Sequence, residues 1–199
     1  MEEVREEYRR RARRALMKPP ARGPDVDLAP YIAGLEASED STTLDLSRPD
    51  VRRTLLNVGI DTSEAGRSGS YYQVDQVVLR YYSRIPGLKL MSLEEALEEH
   101  WDEISEYFWK AVPVDKDKFT AVAELYGKGG YVIFVEPGVK VEQPIQTCLL
   151  MRKDLVLQAP HNIVIVGDGA ELHVITGCTI MKDVAGLHAG VSEMYVGRG

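Results

Sequence analysis

Three strand-length apolar segments recur towards the C-terminal end of the sequence, each closed by a turn that ends in glycine. They span Val132–Gly138, Ile163–Gly169 and Glu193–Gly199, so the closing glycines are 31 and 30 residues apart. A fixed period of this length is typical of architectures built by stacking similar units. The repeat therefore predicts a β-solenoid that begins at about residue 130. Because the sequence stops on the third closing glycine, we expect a piece of a longer protein or an end that is buried against a partner.

The first 129 residues show a different pattern and are predicted to form a helical and loop-rich region. Residues 18–70, including 37–43, are rich in Pro, Gly, Ser, Asp and Thr and are read mostly as loop, with a short helical pattern near Pro49–Val58. The β-branched and aromatic residues of Tyr71–Leu79 predict one strand. The predicted organisation is thus residues 1–129, followed by the start of the solenoid at 130–199.

Two helices are predicted between these zones. Ser92 and Glu95 have the spacing of a capping box, and apolar residues at helical spacing follow as far as Val112, where Pro113 prevents continuation. A second helix is predicted from about Asp115 to Tyr126.

Composition and charge narrow the function classes. The 199 residues carry a formal net charge of −7 and a sequence pI near 5.2, which argues against general binding to nucleic acid or to anionic membranes. The first 22 residues are locally basic and are read as a solvated helix, with a basic docking arm as the alternative. No apolar run approaches the roughly 20 residues of a membrane helix. We expect a cytoplasmic protein whose two cysteines are free thiols.

Four segments then resemble one family, the SufB/SufD proteins of iron–sulfur cluster assembly. They are Leu93–His100, Gly138–Ile145, Ile175–Thr179 and Leu187–Glu193, and the Gly-Cys-Thr and Leu-His-Ala elements among them follow the 30-residue repeat in the correct order. The resemblance implies an α+β protein in which a right-handed parallel β-helix, here truncated, is flanked by helical domains. It also implies a SufC-type ABC ATPase, a SufB/SufD-type paralogue or second copy, and a sulfur donor protein as partners. An iron–sulfur cluster would form transiently on the full-length complex. The sequence leaves a SufB-like and a SufD-like role open.

Cys178 is the main candidate site residue. A cysteine acts as nucleophile or soft ligand only as thiolate, which requires a polar, partly open setting, and Cys178 is expected at a corner after a strand. The alternative is a small hydrophobe filling the interior. Cys148 precedes Cys178 by 30 residues, so the two thiols are expected to face each other or to lie one position out of register, unless the spacing is coincidental. Such a pair could hold a cluster or metal, share a persulfide or oxidise to a disulfide.

His188 is a weaker candidate metal ligand, since a single histidine is more often structural. Glu193 is another weak candidate site residue. Gln158 also matches the family, but a glutamine at a strand end is expected to be a polar surface group.

Two other function classes stay open. A β-helical polysaccharide-active enzyme would need clustered carboxylates and cations, for which the sequence offers Asp154, Asp168 and Asp183 with Arg152 and Lys153. A non-catalytic interaction scaffold needs none. No Gly-x-x-x-x-Gly-Lys-Ser/Thr loop occurs, so ATP dependence would come from a partner. We expect the chain not to be an enzyme.

Overall fold

The structure is a computed structural model that describes residues 1–36 and 44–199. The predicted loop at 37–43 lies outside the described residues. The helices are α1 (Glu2–Ala15), α2 (Ala29–Glu36), α3 (Pro49–Leu56), α4 (Leu93–Glu99), α5 (Trp101–Ile104) and α6 (Lys118–Tyr126). The strands are β1 (Gly69–Val74), β2 (Val77–Ser83), β3 (Leu88–Ser92), β4 (Tyr131–Val135), β5 (Ile145–Met151), β6 (Val156–Gln158), β7 (His161–Val166), β8 (Val174–Ile180), β9 (Gly186–His188) and β10 (Val191–Val196).

Within residues 1–36 and 44–199, the strands form two mixed four-stranded sheets and one small two-stranded sheet. Sheet one has the order β2-β1-β5-β8, sheet two has the order β10-β7-β4-β3, and β6 pairs with β9 in parallel. In sheet one, β1, β5 and β8 are parallel and β2 is antiparallel to β1. In sheet two, β4, β7 and β10 are parallel and β3 is antiparallel to β4.

The predicted truncated right-handed parallel β-helix is therefore wrong: the described residues form an α+β fold with mixed sheets. The sequence repeat reports only the register of the strands that carry it. Phe134 and Tyr195 both pair with Ile165 in parallel strands of sheet two. The strands β1, β2 and β3 carry no trace of the period, yet they hydrogen-bond into the same sheets, two of them antiparallel to their neighbours. Local periodicity cannot report which other segments join a sheet.

The single strand predicted over Tyr71–Leu79 is also wrong, because the chain reverses inside it to form the β1–β2 hairpin. Asp75 takes the left-handed conformation at φ 54°, which Asp tolerates better than most residues. Both turn residues, Asp75 and Gln76, are buried. This two-residue turn contains neither Gly nor Pro, so the sequence carries no strong signal for the reversal.

Helix α4 begins where the sequence predicts but ends early. The Ser92 hydroxyl accepts the N–H of Glu95 at 3.1 Å, as a helix N-cap should. The helix stops at Glu99, because His100 leaves the helical conformation, and the short α5 follows. The apolar residues after α4 still reach the core, but they lie on the short α5 and in the turns that follow it rather than on one continuous helix.

Helix α6 begins at Lys118, three residues after the predicted start. Its N-cap is Asp117, which forms a complete capping box with Thr120. Helix α1 packs against α6 and also contacts the segment between α5 and α6, where the Tyr8 hydroxyl donates to the Phe108 carbonyl at 3.3 Å and Arg11 pairs with Asp115 at 2.6 Å.

The main apolar core lies between the helices and sheet two, a second cluster lies between the two large sheets, and a third lies between α3 and sheet one. The sheets combine strands from both sides of residue 130, and the division into 1–129 and 130–199 stays a prediction. Within the described ranges, no helix combines the length and apolar character that crossing a membrane would require.

Candidate functional site

Cys178 lies within β8, at the outer edge of sheet one, so the corner position expected for it is wrong. The preceding Gly177 is required by packing, because a Cβ there would lie 2.5 Å from the Ile60 Cγ1 atom in the segment after α3. Since side chains alternate along a strand, Cys178 points to the opposite face, beside Leu149 of the neighbouring strand. The close approach of the α3 segment to one face therefore fixes the face to which the thiol is directed.

The Cys178 thiol is exposed, in agreement with the open setting that a sulfur acceptor requires. Partial desolvation by the surrounding protein raises its pKa above the ordinary thiol value. The isolated thiol is thus mostly protonated at neutral pH. It binds a metal ion only with release of that proton, and it attacks a sulfur donor only through its thiolate form.

Cys148 occupies a contrasting environment. It lies on β5 with 1% of its surface exposed, in the apolar cluster that includes Ile60 and Tyr72. Burial, together with a smaller contribution from the charge of Cys178, raises the pKa of Cys148 to about 12. Such a buried thiol is expected to be chemically inert.

The two cysteines lie one position out of register, one of the two arrangements expected from their spacing. Cys148 pairs with Gly177, and Leu149 pairs with Cys178. An offset of one residue between adjacent parallel strands directs the two side chains to opposite faces of the sheet. The cluster-binding roles of Cys148 and Cys178 stay predictions, and the geometry favours Cys178.

His188 lies on β9, in the small sheet, and is half-buried. Its Nδ1 atom is 3.0 Å from Oε1 of Gln158, the residue opposite it on β6. Burial lowers the pKa of His188 and keeps the ring neutral at physiological pH. The surface position expected for Gln158 is wrong: the residue is completely buried. Its side-chain NH₂ group donates to the backbone carbonyls of Asp75 and Leu150, which the strand pattern of the sequence does not predict.

The structure does not bring these candidates into a complete metal site. Cys178 and His188 belong to different sheets. Over residues 1–36 and 44–199, no three His, Cys, Asp or Glu side chains are close enough together to bind a metal ion. The role of His188 as a metal ligand stays a prediction.

The structure places the Glu193 carboxylate in a buried hydrogen-bond network that the sequence indicated only weakly. The Glu193 carboxylate accepts the backbone N–H groups of Trp109, Ala111 and Val112 at 2.7–2.9 Å, and its Oε2 atom lies 2.8 Å from His161 Nε2. Burial acts to raise the pKa of Glu193, but the His161 hydrogen bond and the N–H donors outweigh it and leave the pKa lowered. Burial lowers the pKa of His161. The pair is therefore a carboxylate with a neutral imidazole, and it joins β10 to the segment after α5.

The repeat contained a signal for this pair. His161 lies opposite Val191 across β7 and β10. Glu193, two residues further along, must then be a diagonal neighbour of His161 on the same face. No pattern in the sequence predicts that the segment at 109–112 directs three backbone N–H groups to the Glu193 carboxylate.

Two of the carboxylates considered for a polysaccharide-active enzyme, those of Asp154 and Asp168, form hydrogen bonds that stabilise turns. Asp168 pairs with Arg198 at 3.0 Å and accepts its backbone N–H. Asp154 accepts the N–H of Ala185. These contacts are conformational, and the carboxylates do not form a cluster in the described part of the chain.

The chain was compared with protein families and with curated proteins. Residues 69–147 match the family model described as the SufBD protein N-terminal region. The sequence is 38% identical to an iron–sulfur cluster assembly SufBD family protein of Methanothermobacter thermautotrophicus, over 96% of this chain and 48% of the relative. It is 41% identical to a protein of the same description from Archaeoglobus fulgidus, over 73% of this chain and 39% of the relative. It is 29% identical to the iron–sulfur cluster assembly protein SufB of Bacillus subtilis, over 85% of this chain and 37% of the relative.

The chain thus spans about half or less of the length of these curated relatives. The matched family region runs from β1 into β5, and the longer alignments extend over the strands that carry Cys178 and His188. This protein belongs to the SufBD family.

Proposed function

We propose that this chain takes part in iron–sulfur cluster assembly as a scaffold rather than as an enzyme, with Cys178 as the residue that receives sulfur or contacts the growing cluster. The cluster is the cargo of this process. His188 would contribute a nitrogen ligand, and Cys148 would support the strand without chemistry of its own.

The observation that carries the proposal is the contrast between the two thiols. Cys178 is exposed at the edge of sheet one, whereas Cys148 is sealed in an apolar cluster. Sulfur transfer needs a thiol that a donor can approach and that can lose its proton, and only Cys178 satisfies the first condition. The relatives named for cluster assembly support the same function.

The proposed partners rest on the membership of this chain in the SufBD family. The chain itself contains no nucleotide-binding loop of the Gly-x-x-x-x-Gly-Lys-Ser/Thr type, so any ATP dependence would come from a partner. We therefore propose a SufC-type ABC ATPase, a SufB/SufD-type paralogue or a second copy, and a sulfur donor protein as partners, acting in the cytoplasm. Co-purification of the chain with the ATPase tests the first of these, and failure to associate would contradict it.

Anaerobic reconstitution with ferrous iron and sulfide tests the role of Cys178. We expect visible absorbance from bound cluster in the unmodified chain and in Cys148→Ala, and its loss in Cys178→Ser. Cys148→Ala is the matched control because it removes the other thiol. Equal absorbance in Cys178→Ser and the unmodified chain would overturn the proposal.

A further inference from the structure

The side-chain amide of Gln158 has only one possible orientation. One of its terminal atoms lies 2.9 Å from the Asp75 carbonyl oxygen and 3.2 Å from the Leu150 carbonyl oxygen. Carbonyl oxygens can only accept hydrogen bonds, so this atom must be the NH₂ group. The remaining atom, which faces His188, is therefore the amide oxygen.

That orientation determines the protonation of the imidazole. The amide oxygen of Gln158 can only accept, and it lies 3.0 Å from His188 Nδ1. His188 must then carry its proton on Nδ1, and in the neutral ring Nε2 holds an unprotonated lone pair. An isolated neutral histidine would exchange between both tautomers.

The Nε2 atom of His188 is left available. Among the described residues, no group forms a hydrogen bond with this atom. It is also not one of the fully buried side-chain nitrogen or oxygen atoms without a partner. Gly190 contributes to this opening, since a Cβ at that position would lie 2.7 Å from Nε2 and 3.3 Å from Cε1. An orienting hydrogen bond on one ring nitrogen and a free lone pair on the other is the arrangement of a histidine prepared to bind a metal ion.

We propose that Gln158 is a positioning residue that holds His188 as the Nδ1–H tautomer and thereby presents Nε2 to a first-row transition metal ion. The inference rests on the proposed function, in which that ion is the iron of the cargo. His188 supplies one ligand, and the remaining ligands come from the cargo or from a partner chain.

The β1–β2 turn holds Gln158 in place. Asp75, in the left-handed conformation at the tip of the hairpin, offers its carbonyl to Gln158 and accepts the backbone N–H of Arg152 at 2.6 Å through its carboxylate. The hairpin thus holds the Gln158 amide, and the Gln158 amide orients the His188 ring. This role explains why a polar side chain occupies a completely buried position on β6.

The first test is the tautomer of His188 in the ¹⁵N-labelled chain, measured from two-bond nitrogen–proton correlations at a pH at which the ring is neutral. We expect a protonated Nδ1 and an unprotonated Nε2. His173 is exposed and has no side-chain hydrogen bond in the described ranges, so it provides a reference with mixed tautomers. A protonated Nε2 at His188 would overturn the inference without any variant having to fold.

The second test uses cobalt(II) as a paramagnetic probe. We expect the His188 ring resonances to broaden at lower cobalt concentration than those of His173, and Gln158→Leu to remove about 10-fold or more of that preference. Gln143→Leu, at an exposed position, is the matched control and should change nothing. Gly190→Ala should keep the tautomer yet weaken the cobalt effect, because its methyl group crowds Nε2.

The outcomes separate this inference from the proposed function. Equal broadening of His188 and His173, or an unchanged preference in folded Gln158→Leu, would overturn the positioning role. If the tautomer and the cobalt preference are as expected but reconstitution is independent of Cys178, the positioning stands and the proposed cluster role of the chain fails.

Discussion

Replacement of Glu193 by glutamine tests how strongly the buried carboxylate fastens β10 to the segment after α5. The carboxylate has two acceptor oxygens. Oε1 accepts Ala111 N–H at 2.7 Å and Val112 N–H at 2.9 Å, and Oε2 accepts Trp109 N–H at 2.8 Å and contacts His161 at 2.8 Å. Glutamine keeps one acceptor oxygen and puts an NH₂ group in place of the other, so the N–H of either Trp109 or Val112 loses its acceptor, whereas the Ala111 N–H can still donate to the Tyr195 hydroxyl.

The magnitude follows from this loss. An orphaned buried donor costs about 1–3 kcal/mol, and hydrogen bonds to a charged acceptor are worth about 1 kcal/mol more than neutral ones. The loss of the stronger, charge-assisted hydrogen bonds is partly offset, because burying a neutral amide costs less free energy than burying a carboxylate. We therefore expect Glu193→Gln to lower the free energy of unfolding by about 3 kcal/mol and Tm by roughly 6–12 °C.

Urea unfolding of the whole chain measures the change, with Glu142→Gln, at an exposed carboxylate, as the control. Amide hydrogen exchange should also accelerate at Trp109, Ala111 and Val112 in the Glu193 variant. Because the folded-state pKa of Glu193 lies below its ordinary value of 4.5, its contribution is complete above that pH and is lost as the pH falls through the lowered pKa. The difference between the two proteins should shrink in acid. A loss below about 1 kcal/mol at neutral pH, with unchanged exchange, would refute the reasoning.

Three further changes have expected outcomes. Alkylation at pH 7.5 should modify Cys178 at least ~100-fold faster than Cys148, because burial and a pKa of about 12 suppress the second thiolate; comparable rates by peptide mapping would contradict the burial of Cys148. Gly177→Ala should cost about 1–3 kcal/mol in urea unfolding, because its methyl group collides with Ile60, and a neutral effect would show that the α3 segment yields easily. Asp117→Ala should cost about 1–2 kcal/mol by removing the N-cap of α6 and a hydrogen bond to the N-terminal loop, whereas a loss below about 0.3 kcal/mol would contradict that role.

The sequence predicted local elements well where one residue type dictates the geometry. Ser92 caps α4 as its spacing indicates, and the glycine-terminated repeat places Phe134, Ile165 and Tyr195 side by side. These features depend on short-range hydrogen bonding or on a fixed strand register, and the spacing of residues along the chain predicts both.

The architecture could not be predicted in the same way. The strand interpretation of 71–79 missed the hairpin because its two-residue turn, Asp75-Gln76, contains neither Gly nor Pro. The β-helix prediction failed because the period says nothing about the non-repeating strands that make both sheets mixed. Tertiary contacts of this kind override local pattern.

In the candidate site, too, residue spacing predicted some features, whereas others depend on tertiary packing. The spacing of Cys148 and Cys178 predicted neighbouring strands, and they are one position out of register. Which thiol is open depends on the packing of α3 against one face, and the orientation of His188 depends on carbonyls from two other segments. Neither is visible in the sequence near those residues.

Sulfur transfer to a single thiol tests the central claim most directly. The chain would be incubated anaerobically with a small-molecule persulfide, whose outer sulfur passes to a cysteine thiol to give a protein persulfide while the donor leaves as its thiol. Peptide mass mapping should then find one added sulfur atom on Cys178 and none on Cys148. Added sulfur on Cys148, or none on Cys178 while the donor is consumed elsewhere on the chain, would contradict the account.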